Sequence, residues 1–371
     1  MNTAPTASPS EPSSTVLLGA TFELEIERIS YGGAGVGRLE GKVVFVPFTI
    51  PGERVSVRVV RDQKRFAEAV LLSIVKPAPE RIPPKCVYFA KCGGCAYQHV
   101  DYSVQLAWKT EQVRELLQRV ARISEPRVLP TLPSPKEWAF RNRIRVHSRD
   151  GKVGFFAKHS HRVVDVVECA IAQPEVNAKL ASLRQSRRAA PETTLSAGDG
   201  GRFFEQTNFG AASELVRLVE SMAGDGLETL VDAYSGAGFF GHRLSAQFER
   251  VVGIESHEGA VAAARRQAGA NEHYICGDVA THLGAVLGDV NRQKTLLLLD
   301  PPAAGVAACV TDLLVALPVK RLVYVSCDPA TQARDLGVLV RGGYSLEKVV
   351  PVDMFPQTAD VEVVAELHWS T

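Results

Sequence analysis

Cys327 follows the apolar run 322–325, in the stretch Val325-Ser326-Cys327-Asp328-Pro329. Twenty-seven residues earlier another apolar run ends on Asp300-Pro301-Pro302. In open α/β sheets ligands gather at the carboxyl ends of the strands. A thiol at one strand end, beside a carboxylate at another, is placed to act as a nucleophile. The competing reading is a small apolar side chain filling a gap in the core.

A glycine-rich loop precedes both. Leu230-Val231-Asp232-Ala233-Tyr234-Ser235-Gly236-Ala237-Gly238 is an apolar strand running into a tight turn, and residues 236–241 match G-x-G-x-x-G. Glycines there let the backbone come close to a nucleotide-bearing cofactor. Glu255 ends the next apolar run, 17 residues after Gly238, where a carboxylate can accept both hydroxyls of a ribose. NAD and S-adenosylmethionine satisfy this pattern equally. Two features favour the methyl donor: Asp232 lies where its cationic methionine end would be, and Asp300-Pro301-Pro302 closes a further strand. The prolines are followed by Ala303 rather than an aromatic residue that would stack on a base. That argues against an exocyclic amine as target, and Cys327 points to carbon.

The other cysteines are grouped. Cys86, Cys92 and Cys95 lie within ten residues, with Gly93 and Gly94 between the last two, and Cys169 follows far downstream. Four cysteines suit either a tetrahedral zinc site or an iron–sulfur cluster. Three close ligands and one remote one fit a cubane better than the paired doublets of a zinc ribbon. Cys276 and Cys309 stand in apolar surroundings and are expected in the core.

Basic residues are concentrated as well. Residues 136–162 hold eight Lys or Arg against two acids, interleaved with Trp138, Phe140, Phe155 and Phe156. Cations for phosphates and rings for unstacked bases make an RNA-binding composition. The alternation of Arg141, Arg143 and Arg145 also fits the solvated face of a strand.

These groups must be carried by several domains. The chain has 371 residues, 46% hydrophobic and 22% charged, as in ordinary globular proteins. Its net charge is only +1, so any nucleic-acid footprint has to be local. The first 19 residues, rich in Pro, Ser and Thr, read as a disordered tail without signal-peptide features. A cytoplasmic protein with reduced thiols and no membrane span is expected, monomeric by default. Residues 20–76 read as a small β-barrel, with strands over 21–29, 42–46, 54–60 and 68–74 and a glycine-rich turn over 31–37. A helix is expected over 102–123, burying Val104, Trp108, Val113, Leu117 and Val120. From about residue 203, strands near 228–234, 250–255, 273–276, 295–300 and 321–326 alternate with helices, the pattern of a doubly wound α/β domain.

Taken in order, these motifs resemble the RNA uracil-5 (m5U) methyltransferase family of 23S rRNA and tRNA enzymes, over nearly the whole chain after the tail. The resemblance implies a class I (Rossmann-like) S-adenosylmethionine-dependent methyltransferase domain plus an N-terminal TRAM β-barrel and a small cluster-binding central domain. The implied boundaries are 1–19 for the tail, 20–78 for TRAM, 79–96 with 127–202 for the central domain, and 97–126 with 203–371 for the methyltransferase domain. Cys86, Cys92, Cys95 and Cys169 match the ligands of the family's 4Fe–4S cluster. Phe204-Glu205-Gln206-Thr207-Asn208 resembles the segment whose glutamine touches the donor, and Tyr234, Gly236, Gly238, Glu255 and Asp300 fall at the other donor positions. Cys327 matches the nucleophile. In residues 353–362 the final motif ends on Glu362, the matching general base, and Glu366 is an alternative carboxylate. The family's usual arginine, asparagine and histidine are replaced here by Ala303, Asp328 and Asp360, and a common asparagine by Phe239. Asp328 is expected to raise the thiol pKa.

The expected function is formation of 5-methyluridine in RNA, ribosomal rather than transfer RNA, by addition of Cys327 to uracil carbon 6. Arg141, Arg143 and Arg145 would grip the RNA. The alternatives are an RNA-binding protein of this fold without methyltransferase activity, tRNA as substrate, or an NAD-dependent redox enzyme.

Overall fold

The computed structural model describes residues 17–158, 160–186, 190–198 and 206–369. Residues 1–16 of the expected tail, and Phe204 and Glu205 of the expected donor segment, lie outside the described residues. The chain divides into two units, Met1–Arg81 and Ile82–Thr371.

In the first unit, β1 (Thr21–Glu25), β2 (Arg28–Ile29), β3 (Ala34–Leu39), β4 (Lys42–Pro47), β5 (Arg54–Asp62) and β6 (Phe66–Lys76) form a six-stranded sheet in the order β1-β5-β6-β4-β3-β2. Val55, Val57 and Val59 alternate inward along β5 and meet Leu24, Ile26, Val44, Val46, Ala67 and Ala69 in one core. Two expectations need correcting. The strand over 21–29 breaks, because Ile26 N–H bonds the Glu53 carbonyl while Glu27 N–H bonds that of Val36. The chain thereby changes partner strand. The turn expected over 31–37 ends at Gly33, and Gly35 and Gly37 belong to β3. A Cβ on Gly37 would lie 2.3 Å from the Glu25 carbonyl oxygen, so this strand is glycine-rich because another backbone passes against it.

The second unit begins with α1 (Tyr102–Leu116) and a π-helical turn, Leu117–Ala121. Its buried positions are Gln105, Lys109, Gln112, Val113, Leu117 and Ala121, whereas Val120 is 42% exposed. The expected apolar stripe is thus only partly right, because much of the helix packs on a polar loop rather than an apolar face. A small antiparallel sheet follows, built from β7 (Arg143–Arg149), β8 (Lys152–Phe156), β9 (Val163–Asp165), α2 (Pro174–Gln185) and β10 (Glu192–Ser196), in the strand order β10-β7-β8-β9. Ile144 and Val146 turn inward to Val176 and Leu180 of α2, leaving the arginines of β7 on the other face.

The largest layer comprises α3 (Phe209–Ala223), β11 (Thr229–Ala233), α4 (Phe239–Leu244), β12 (Arg250–Glu255), α5 (Glu258–Gln267), β13 (Glu272–Cys276), α6 (Val279–Gly288), β14 (Thr295–Leu299), α7 (Ala308–Ala316), β15 (Arg321–Ser326), α8 (Pro329–Arg341), β16 (Tyr344–Val352) and β17 (Glu362–Trp369). β11 to β15 coincide with the five expected strands to within one residue at each end. The sheet order is β13-β12-β11-β14-β15-β17-β16, and β17 runs antiparallel to both neighbours. β11 and β14 are buried at every position because apolar cores lie on both sides of the sheet. The strand order reverses between β11 and β14, which opens a crevice at their carboxyl ends. Cys276 and Cys309 are exposed, contrary to expectation: one ends the edge strand β13, the other lies in the first turn of α7. Among the described residues, no helix is long and apolar enough to cross a membrane.

Candidate active site

The carboxyl edge of the large sheet assembles the reactive groups. β15 and β17 pair from Arg321↔His368 to Ser326↔Val363. Cys327 and Glu362 are the next opposed positions, one leaving β15 and the other opening β17. Leu299 pairs with Ala233 on one side and with Tyr324 on the other, which brings Tyr234 and Asp300 to the same edge. Asp300 N–H donates to the Ala233 carbonyl at 3.3 Å. The buried Gln332 amide of α8 donates to the Tyr324 carbonyl at 2.8 Å and to that of Val363 at 3.1 Å. One side chain thus couples the strand that ends at Cys327 to the strand that Glu362 opens. Neither Gln332 nor its role is marked by a sequence motif.

Acids crowd this edge. Burial, reinforced by the Asp300 charge, pushes the Glu362 carboxyl upward, and burial raises Asp300 as well. Two neighbouring carboxylates with little solvent cannot both ionise freely, so the pair retains a proton near neutral pH. Cys327 is exposed and therefore reachable. Its thiol is nevertheless pushed up to about 11, by desolvation first and then by Glu362, Asp300 and Asp328. Asp328 is the last of these causes, because its carboxylate caps α8, accepting from Ala330 N–H at 2.9 Å and Thr331 N–H at 3.0 Å. The same helix N-terminus favours a thiolate immediately before it. Glu366 is already engaged by Lys348 at 3.1 Å and by His368 at 2.7 Å, so it is poorly placed to serve as a base.

The glycine loop forms the adjoining wall. Tyr234, Gly236 and Gly238 have φ of 68°, 55° and 84°. A Cβ on Gly238 would meet His242 Nε2 at 2.4 Å, and one on Gly241 would meet Tyr274 Oη at 2.6 Å. Gly236 N–H donates to Glu255 Oε2 at 3.1 Å, and His257 N–H to Oε1 at 2.6 Å. Asp232 is fully buried, with Oδ2 accepting from Gly241 N–H at 3.0 Å. Its Oδ1 has no hydrogen-bond partner, and burial followed by the Asp300 charge pushes the carboxyl up to about 8. An enclosed carboxylate oxygen without a partner fits the cationic end of a bound donor. Gln206 is nearly buried ahead of α3, its carbonyl held by Asn142 Nδ2 at 2.9 Å. Asn208 caps α3 and donates to the Met354 carbonyl at 3.1 Å, tying this segment to the loop that leads to Glu362.

The four grouped cysteines lie elsewhere in the second unit. Cys86, Cys92, Cys95 and Cys169 line one cavity of about 180 Å³, together with Tyr88, Phe155, Arg141 and Arg145. Burial is the first cause that pushes Cys92 up to about 11 and Cys95 up to about 12. Gly93 N–H bonds the Phe156 carbonyl at 2.9 Å, which fixes the cysteine loop against β8. Among the described residues, no three His, Cys, Asp or Glu side chains are grouped to hold a single metal ion. Four thiols lining one chamber are the ligand type that an iron–sulfur cluster requires. Of the three candidate arginines, Arg141 Nε donates to the Arg143 carbonyl and Arg143 Nε to Ser196 Oγ, both at 3.1 Å. Arg145 is exposed, 3.5 Å from Glu192.

Comparison with known proteins agrees with this architecture. Residues 15–72 match the TRAM domain model. A protein of Bdellovibrio bacteriovorus, named as an uncharacterized RNA methyltransferase, is 33% identical, covering 95% of this chain and 96% of its own. Another of that name from Thermosynechococcus vestitus is 31% identical, covering 95% and 99%. In fold, the chain is similar to the Pyrococcus abyssi tRNA (uracil-54, C5)-methyltransferase solved with S-adenosyl-L-homocysteine. That match has a TM-score of 0.70 and 24% identity, covering 93% of this chain and all of the other.

Proposed function

Because this chain belongs to the RNA methyltransferase family, with a TRAM domain and a class I methyltransferase fold, we propose that it forms 5-methyluridine from S-adenosylmethionine, using Cys327 as nucleophile and Glu362 as base. The observation that carries this reading is the opposition of Cys327 and Glu362 beyond the last rung of β15 and β17, with Asp300 on the neighbouring strand.

The chemistry explains the residue types. Carbon 5 of uracil is a poor nucleophile. When the Cys327 thiolate bonds to carbon 6, the electron pair of the 5,6 double bond moves into the ring as an enolate, and carbon 5 becomes nucleophilic. Carbon 5 would then take the methyl group that the donor's sulfonium makes electrophilic, the methyl–sulfur bond breaking so that its electron pair leaves on S-adenosylhomocysteine. Glu362, as carboxylate, then takes the proton from carbon 5. The released pair restores the double bond and expels the Cys327 thiolate. Asp232 and Glu255 would hold the donor, with Gln206, Tyr234, Gly236, Gly238 and Asp300 around it. A base reaches this edge only when unstacked, which favours loops or opened RNA.

Cys86, Cys92, Cys95 and Cys169 are assigned to a 4Fe–4S cluster, supported by the cavity that they share. Arg141, Arg143 and Arg145 are assigned to RNA contact. Ribosomal RNA is the substrate that the TRAM domain together with a cluster suggests, and transfer RNA is the alternative.

The test is covalent trapping on RNA containing 5-fluorouridine, where carbon 5 carries no removable proton and the thioether persists. Wild type should give a stable RNA–protein adduct and Cys327→Ala none. Equal trapping by both would overturn the mechanism. Mapping 5-methyluridine in ribosomal and transfer RNA of a deletion strain then identifies the substrate.

A further inference from the structure

Helix α1 turns three polar side chains inward, and two of them grip the loop that delivers Glu362. Lys109 Nζ donates to Asp353 Oδ1 at 2.6 Å and to the Phe355 carbonyl at 3.1 Å, with both side chains of the ion pair fully enclosed. Gln105 holds Gln357 from two directions: its Nε2 donates to Gln357 Oε1 at 3.0 Å, and its Oε1 accepts from Gln357 N–H at 3.1 Å. Ala96 and Tyr97 add their N–H groups to the Gln357 carbonyl, at 2.9 and 3.0 Å. Gln112 donates in turn to Tyr97 Oη at 2.8 Å. Gln357 itself sits at φ +69°, a conformation that such a clamp can maintain.

The loop over 353–361 joins β16 to the first residue of β17, outside the sheet's own ladder. Glu362 pairs with Val352 at the mouth of this loop, so the anchors at positions 353 and 357 hold the backbone that closes that rung and, with it, the approach of Glu362 to Cys327. A buried ammonium is a costly device for holding a loop. Burial pulls the Lys109 pKa down, opposed by Asp353. A leucine or methionine would fill the space without supplying these directed bonds. We propose that Lys109 and Gln105 are positioning residues for the proton-removal step, acting through the loop that ends on Glu362. The proposal rests on the Cys327 and Glu362 mechanism above.

The mechanism offers a readout that general loosening would not reproduce. Cys327 addition and methyl transfer precede proton removal, so misplacing Glu362 should stall the enzyme as a covalent methylated adduct. With uridine RNA and donor, Gln105→Leu and Lys109→Met should accumulate this adduct while turnover falls on the order of tenfold or more. Their trapping rate on 5-fluorouridine RNA and their affinity for S-adenosylhomocysteine should remain near wild type, and Lys109→Arg should recover more turnover than Lys109→Met. If Lys109→Met does not fold, Gln105→Leu decides alone, since it leaves no unpaired charge. Turnover and trapping falling together, or turnover unchanged, would overturn the positioning role. Failure of wild type to trap 5-fluorouridine RNA would instead bring down the mechanism on which the proposal rests.

Discussion

Ser326 lies opposite Val363 on the last rung between β15 and β17, so the strands bearing Cys327 and Glu362 leave the sheet side by side. The chemistry is placed by ladder register, which a one-residue slip would destroy. Gln332 reinforces that register by bonding carbonyls on both strands.

Replacing Gln332 with leucine should therefore cost stability as well as activity. Two buried carbonyls would lose their donor, a loss of roughly 1–3 kcal/mol. Urea denaturation measures the first effect and methyl transfer the second. An unchanged urea midpoint would show that the bridge contributes nothing.

Glu362 should make turnover and stability respond to pH in opposite directions. Burial, with Asp300, raises its carboxyl from 4.5 to about 8. A raised folded pKa contributes stability that is complete below the unfolded value and is lost as pH climbs through the folded one. Wild type should accordingly lose stability relative to Glu362→Gln as pH climbs from about 4.5 to about 8, with no further divergence above that. Methyl transfer needs the carboxylate and should rise as pH passes through about 8. Parallel stability curves for the two proteins would contradict the buried, protonated carboxyl.

Asp232→Asn separates binding from folding. Burial already pushes this enclosed carboxyl toward its neutral form, and its Oδ1 has no partner to lose, so the free protein should melt at about the same temperature. Affinity for S-adenosylhomocysteine should drop roughly 10- to 100-fold, the loss expected for a hydrogen bond to a charged group. Calorimetric titration reads this directly, and undiminished affinity would remove Asp232 from the donor site.

The cysteine cavity makes a compositional prediction. Protein purified without oxygen should carry iron and sulfide in equal amounts, and Cys95→Ser should lose most of both. Stoichiometric zinc in place of iron would refute the cluster assignment.

Much of this was legible in the amino-acid order because it is local. The four inner parallel strands, β11, β12, β14 and β15, stand out as apolar runs, since burial on both faces leaves no room for alternation, whereas the edge strand β13 alternates. Gly236 and Gly238 mark a turn because a positive φ favours glycine. Asp328 stands out in the sequence only for its charge beside Cys327, and the structure makes it the cap of α8 as well. The helix over α1 was legible, but the identity of its buried face was not. Gln105 and Lys109 look like solvent-facing residues until their partners, Gln357 and Asp353, are brought in from some 250 positions away. Glycines 35 and 37 misled for a similar reason, since what excludes their side chains is a neighbouring strand rather than a turn.

Cys327 and the four grouped cysteines are candidates by residue type, and Glu362 only through the family resemblance; what the sequence alone determined was the succession of the five parallel strands and the glycine loop. These follow from short-range sterics and from periodicity that needs no partner. Only the tertiary structure decided that β17 inserts antiparallel between β15 and β16, that Glu362 opens it opposite Cys327, and that a lysine from α1 holds the intervening loop. Those outcomes depend on contacts between distant segments, where burial and hydrogen-bond demand are settled jointly rather than residue by residue.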